Sequence, residues 1–270
     1  MRLTLLDIGG TFIKCSDGRV IPIPSAGPKR AIAAALRKAV KIPGQAGDDK
    51  GIGRLGVAIP GPFDYRRGVF LADHKFAAVK GLSFRDLAGL PAETDVRFIH
   101  DVCAVLEGAV RMLGLTDENT AVVTLGTGLG FAVAQKGKVR YGSDGSPADE
   151  IWDLPTGGGI LEEKVSGRGL RALYGELGGD NTSTARDIAE RAFHGDRDAF
   201  EAYERMGSIL GEAIRPILEE YRVDHLLFAG QISQSLDLME DGLRSALGSG
   251  IILEQAPEGA VFRGIETLFE

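Results

Sequence analysis

One pattern constrains this chain more than any other: a glycine–threonine turn between two short apolar runs, present twice. The first copy is LLDIGGTFIK, residues 5–14, in which Asp7 precedes Gly9, Gly10 and Thr11, and Lys14 closes the second run. The second is VVTLGTGLGFAVAQ, residues 122–135, with Gly126, Thr127, Gly128 and Gly130 at the bend. Two strands joined by a turn have little use for an acid and a hydroxyl at the bend. A turn that approaches a polyphosphate does: glycine lets the backbone come close, successive N–H groups face the oxygens, and threonine adds a donor. Asp7 suits a magnesium ion, which usually reaches protein through one or two carboxylates and water. Alone, the first copy reads equally well as a β-hairpin with a permissive Gly-Gly turn. Its recurrence points to two related halves, each opening with the same hairpin and divided near residues 114–119.

A chain of 270 residues is long enough for one large core or two small ones. The formal charge of −7 argues against a nucleic-acid partner, which wants a basic face. No apolar run approaches the roughly 18–20 residues of a membrane span. Residues 1–14 do not read as a signal peptide. A cytoplasmic globular protein is expected, with no membrane partner. Cys15 and Cys103 sit in apolar surroundings and read as reduced core residues. His74, His100, His194 and His225 have no short ligand spacing, so no structural zinc site is expected.

Along the chain, residues 19–24 read as a third strand and 29–41 as an amphipathic helix. A polar loop over 43–53 leads to a buried strand at 55–59, stopped by Pro60-Gly61-Pro62. Residues 63–79 have mixed character, and 83–87 one or two helical turns. A short strand at 96–99 ends on His100-Asp101, and a helix follows from Cys103 to residue 113. Residues 141–155 form an acid-rich loop around Trp152. A helix after the glycines at 157–159 carries Leu161, Val165 and Leu170. Thr184 and Asp187 have capping-box spacing. A long helix over 199–221 contains Pro216, a buried strand spans 225–228, and Ser233 starts another helix. Alternating strands and helices place the chain in the α/β class.

Common nucleotide signatures are missing. There is no GxxxxGK[ST] loop, and the second glycine cluster precedes a strand where a dinucleotide fold needs a helix. No GxSxG elbow occurs. The residues instead resemble the ROK family of bacterial sugar kinases and related repressors, within the actin-like ATPase and hexokinase superfamily. The resemblance rests on Asp7-Ile8-Gly9-Gly10-Thr11 with Lys14, on Leu125-Gly126-Thr127-Gly128-Leu129-Gly130, and on Phe228-Ala229-Gly230 before a serine-started helix. It spans nearly the whole chain. It implies two actin-like (ribonuclease H-like) α/β ATPase domains, 1–114 and 115–256, with ATP and Mg2+ in the cleft between them. A C-terminal helix of about 257–270 would pack back on the first domain, and the protein would be a homodimer.

Carried over residue by residue, the resemblance assigns phosphate and nucleotide contacts to Asp7, Gly9, Gly10, Thr11, Lys14, Gly126, Thr127 and Gly128. Gly230 and Gln231 would lie by the adenosine, and Asp7 would hold magnesium through water. The family's Asn-Asp pair matches His100-Asp101, making Asp101 the catalytic base. Asp101 reads on its own as a cap of the helix that follows. Implied sugar contacts are Lys75, His100, Asp101, Glu150 and Asp153. Here the pattern changes. Glu150 matches the family's sugar-contacting glutamate, but Asp153 stands where a zinc-bound histidine should be, and residues 156–163 contain no cysteine. No zinc is expected. Cys103 replaces a second asparagine, and His74-Lys75-Phe76 aligns loosely with Pro-Asn-Leu. Buried hydrogen-bonding groups discriminate strongly, so the acceptor should differ from plain glucose or be read differently. Lys75 and His100 suit an anionic or acylated sugar, although Lys75 reads otherwise as a solvated surface lysine.

The implied function is an ATP-dependent kinase acting on a hexose or hexose derivative. Lack of the zinc motif is shared with polyphosphate-dependent glucokinases, for which Arg66, Arg67, Lys75 and Lys80 would be a candidate basic track. A non-catalytic sugar-binding regulator is another alternative, and a chaperone-like or cytoskeletal actin-fold ATPase, disfavoured by the short length, is a third. The family's repressors carry an N-terminal DNA-binding domain, whereas the first hairpin here begins at Arg2.

Overall fold

The structure is a computed structural model and describes residues 3–41 and 53–270. Apart from Gly53, the polar loop expected over 43–53 lies outside the described residues. The chain divides into two compact units: residues 1–112 with 141–147 and 259–270, and residues 113–140 with 148–258.

In the first unit the opening hairpin is β1 (Leu3–Ile8) and β2 (Phe12–Cys15), followed by β3 (Val20–Pro22) and α1 (Lys29–Val40). Helix α1 buries Ile32, Ala33, Ala35, Leu36, Ala39 and Val40, the stripe that its helical spacing sets. Next come β4 (Arg54–Ile59), a small ribbon of β5 (Phe63–Asp64) and β6 (Val69–Phe70), α2 (Phe84–Ala88), β7 (Asp95–His100) and α3 (Asp101–Leu113). The sheet order is β3-β2-β1-β4-β7. Strands β1, β4 and β7 are parallel, and β2 and β3 fold back antiparallel.

The mixed stretch after β4 is organised by aromatic rings. Phe63 lies 5.4 Å from Tyr65, 5.2 Å from Phe70 and 5.1 Å from Phe98, and Phe70 lies 5.3 Å from Phe76. Tilted and edge-on pairs at such distances contribute about 0.5–1.5 kcal/mol each beyond their buried area.

The second unit repeats the plan. Its strands are β8 (Thr120–Leu125), β9 (Leu129–Gln135), β10 (Lys138–Val139), the short pair β11 (Pro155–Thr156) and β12 (Gly159–Ile160), β13 (His225–Ala229) and β14 (Ile252–Gln255). The main sheet order is β10-β9-β8-β13-β14, with β8, β13 and β14 parallel. Each unit thus has an antiparallel meander joined to two parallel strands in the same order. The helices are α4 (Leu161–Val165), α5 (Gly167–Glu176), α6 (Ala185–Phe193), α7 (Arg197–Tyr221) and α8 (Leu236–Leu247).

Thr184 caps α6 by accepting from the Asp187 N–H, while the Asp187 carboxylate accepts from the Thr184 N–H. Two expected helices differ. The one carrying Leu161 to Leu170 is broken at Ser166, whose ψ of 177° is extended, so α4 and α5 are separate. The segment from Ser233 begins as a 3-10 turn, Ile232–Ser235, and α8 starts only at Leu236.

Helix α9 (Ala260–Glu266) belongs to the first unit and packs on β1 and β4. Its backbone meets α3 without room for side chains. A Cβ on Gly264 would lie 1.8 Å from the Ala104 oxygen, and one on Gly108 1.8 Å from the Ala260 oxygen.

Candidate active site

Because β1, β4 and β7 are parallel, their carboxyl ends share one edge of the first sheet, where α/β sheets bind ligands. The register puts Asp7 near the end of β1, opposite Lys14 on β2. His100 ends β7, and Asp101 opens α3. The turn between β1 and β2 is closed by the Gly9 N–H donating to the Phe12 carbonyl at 2.9 Å. Thr11 is exposed beside it. Lys14 Nζ lies 3.7 Å from Asp7 Oδ2. Burial pushes the Asp7 carboxyl up to about 6, and the attraction of Lys14 only partly offsets it.

Two residues outside the sequence pattern brace this turn. Ser25 Oγ donates to the Gly10 carbonyl at 2.5 Å, and the Ser25 carbonyl accepts from the Phe76 N–H at 2.7 Å. Phe76 has φ +60°, a left-handed conformation that a bulky residue adopts only when its surroundings impose it. Here the ring is 2% exposed among its aromatic neighbours. That bend presents Lys75, which is half-buried rather than a free surface lysine. Its Cε would lie 3.7 Å from a Cβ added at Gly10.

Asp101 has unequal oxygens. Oδ1 accepts from the Val102 N–H at 2.8 Å and lies 2.9 Å from His100 Nδ1. Among the described residues Oδ2 has no hydrogen-bond partner. Burial pushes the carboxyl up, but His100 beside it, the hydrogen bonds from His100 and the Val102 amide, and Lys75 outweigh this, and the net shift is downward. The α3 N-terminus favours negative charge at the same place. Asp101 therefore stays ionised near neutral pH. Asp7, Gly9, Gly10, Thr11, Lys14, Lys75, His100 and Asp101 are the sequence-derived candidates that lie on the first unit.

In the second unit Gly126, Thr127 and Gly128 form the β8–β9 turn, closed by the Gly126 N–H donating to the Gly128 carbonyl at 3.1 Å. The Gly126 carbonyl accepts from the Gly167 N–H at the start of α5, also at 3.1 Å. Gly230, with φ +95°, packs so closely that an added Cβ would lie 2.2 Å from the Leu125 oxygen. Only glycine fits there. Gln231 is exposed beside it.

Glu150 accepts from Trp152 Nε1 at 2.9 Å, and both it and Asp153 are exposed. The sequence reading missed Glu162. Its Oε2 accepts from the Leu129 N–H at 3.0 Å, and its own N–H donates to the Trp152 carbonyl at 3.0 Å. Glu162 thereby links the glycine turn to the acid-rich loop, with no motif to announce it. No group of three or more His, Cys, Asp or Glu among the described residues is placed to hold a metal ion. No helix among them is long and apolar enough to cross a membrane.

Two α/β units of identical strand order, each opening on a glycine hairpin, define an actin-like ATPase fold. The chain belongs to the ROK family, whose model matches residues 2–152 and 154–263. Comparison with curated proteins finds no match. Among solved structures, a ROK family glucokinase from Streptomyces griseus, in complex with glucose and AMPPNP, superposes with a TM-score of 0.79 at 21% identity, covering 98% of both chains. An inorganic polyphosphate/ATP-glucomannokinase from Arthrobacter sp. strain KM gives 0.67 at 20% identity, covering 98% of this chain and 97% of that one. A ROK family transcriptional regulator, a homolog of the E. coli MLC protein, gives 0.78 at 16%, covering 97% of this chain and 76% of that one. At these identities the likeness is one of fold.

Proposed function

We propose that this protein is an ATP-dependent sugar kinase with Asp101 as general base. The observation that carries the reading is the placement of the Asp101 carboxylate at the carboxyl end of the parallel strands, with Oδ1 occupied and Oδ2 open. A sugar hydroxyl is a poor nucleophile until a carboxylate within hydrogen-bond reach takes its proton. Oδ2 accepts that proton as the hydroxyl oxygen bonds to the γ-phosphorus. The bond from that phosphorus to the β–γ bridging oxygen breaks, and ADP leaves. General-base help supplies about 10²–10⁴-fold, and the rest comes from positioning and neutralised charge.

The glycine turns at Gly9-Gly10 and Gly126–Gly128, with Thr11 and Thr127, serve as phosphate cradles, and Gly230 and Gln231 flank the nucleoside. Asp7 fits magnesium held through water: its carboxyl is largely buried and its charge is only partly compensated by Lys14, so a cation nearby relieves the cost of ionising it. Magnesium held there by Asp7 would supply neutralisation of charge on the phosphates. Lys75, lying over Gly10, adds a positive charge between the phosphate turn and the base. Glu150 and Asp153 read acceptor hydroxyls.

A second reading follows from the altered sugar-side residues: a sugar-binding sensor without turnover. An ionised Asp101 with an open oxygen speaks for the enzyme, because a sensor has no need of a base. ADP release from MgATP across D-glucose, D-mannose, N-acetylglucosamine and N-acetylmannosamine, with Asp101→Asn as control, decides between them. Sugar-dependent turnover abolished by that substitution supports the kinase; saturable sugar binding without turnover supports the sensor. Replacing ATP by polyphosphate in the same panel identifies the donor.

A further inference from the structure

We infer that His100 does not bind the sugar but holds Asp101, so that Oδ2 alone serves as the base; this rests on the kinase reading above. Both ring nitrogens of His100 are already engaged. The Gly61 N–H points at Nε2 from 3.4 Å, which makes Nε2 the acceptor and leaves the proton on Nδ1. Nδ1 faces Asp101 Oδ1 at 2.9 Å. The Val102 N–H lies 2.8 Å from the same oxygen and 3.3 Å from Nδ1, so with Nδ1 protonated it bonds the carboxylate.

The ring is caged as well as bonded. Its side chain is 13% exposed. The Tyr65 ring lies 5.8 Å away at a tilt, and a Cβ on Gly61 would lie 3.5 Å from Nε2. The Pro60-Gly61 turn and Tyr65 thus fix the imidazole, and the imidazole fixes the carboxylate. A sugar hydroxyl finds no free ring nitrogen. His100 is a positioning residue, and the sequence-based expectation of a sugar contact does not suit its hydrogen bonding.

Two measurements test this. The first needs no substrate: ¹⁵N-histidine spectra of the full-length protein at pH 7.5, with His100 assigned by its loss in His100→Asn. The inference requires the tautomer with the proton on Nδ1; a proton on Nε2 overturns it. The second uses any sugar of the panel that is turned over. His100→Ala removes the donor and should lower kcat about 10²-fold while the sugar KM stays within about threefold. His100→Asn places an amide N–H where Nδ1 was and should recover kcat to within about fivefold of wild type. A sugar KM raised tenfold or more with kcat kept, or Asn as damaging as Ala, overturns the inference. If no sugar is turned over, the kinase reading fails, while the tautomer still decides the geometry.

Discussion

In the first unit the glycine turn carries charge. Asp7 and Lys14 face each other across it, Lys75 lies over Gly10, and a serine from the next loop ties it down. The corresponding turn of the second unit carries backbone N–H groups and one threonine hydroxyl, held from outside by Glu162 and by the close approach of Gly230. The strand order around both is the same. The scaffold is shared, while the ionisable side chains beside the turn stand on the first unit and the turn of the second presents backbone dipoles and a hydroxyl. A phosphoryl-transfer site needs both, since fixed N–H donors hold oxygens without titrating, whereas a base must carry a charge it can neutralise.

The comparison predicts a graded series. The largest effect falls on the charged unit: Asp101→Asn should lower kcat by about 10²–10⁴-fold with the fold intact, measured by steady-state ADP release. A variant as active as wild type would remove the functional difference between the units. Next come the turns. Gly126 has open space around a would-be Cβ, and a Cβ at Gly10 would make only ordinary contacts at 3.7 Å, so Gly126→Ala and Gly10→Ala should leave the melting temperature nearly unchanged. If phosphates approach these backbones, the KM for ATP should still rise about tenfold or more, equivalent to about 1.4 kcal/mol. Unaltered kinetics would return both turns to ordinary hairpins.

A smaller effect concerns Asp7. Its carboxyl, at about 6 when folded, lies above the ordinary 3.8, so ionising it costs the folded state. That cost is fully present above about 6 and gone below about 3.8. Without nucleotide or metal, Asp7→Asn should therefore melt higher than wild type at pH 7.5, and the two should converge by pH 4. A gain that persists at pH 4 would point to packing instead of charge. Least of all, Glu162→Ala removes the acceptor of the Leu129 N–H, which costs about 1 kcal/mol and about 2–4 °C in melting temperature. Ser25→Ala should do the same to the other turn.

What was legible in the sequence was local. The hairpins, α1, α3, the Thr184 cap and the acid at a strand end each depend on residues a few positions apart. What escaped depends on contacts between distant segments. The stretch after β4 reads as mixed because its order comes from rings meeting Phe98 on another strand. Nothing near Ser25 or Glu162 announces a brace, since their partners lie 15 and 33 residues away. Lys75 looks like any surface lysine until the Phe76 bend brings it over Gly10. The break at Ser166 was hidden because Leu161, Val165 and Leu170 keep helical spacing across it.

The glycine contact between α3 and α9 sets an order of assembly. Gly264 against Ala104 and Gly108 against Ala260 join segments more than 150 residues apart, and Ile265 fills the space over Gly56. During synthesis the first sheet therefore emerges with a bare face. It waits while the second unit, continuous but for residues 141–147, is made and can fold. The first unit gains its last segment, residues 259–270, only after every residue of the second has been made.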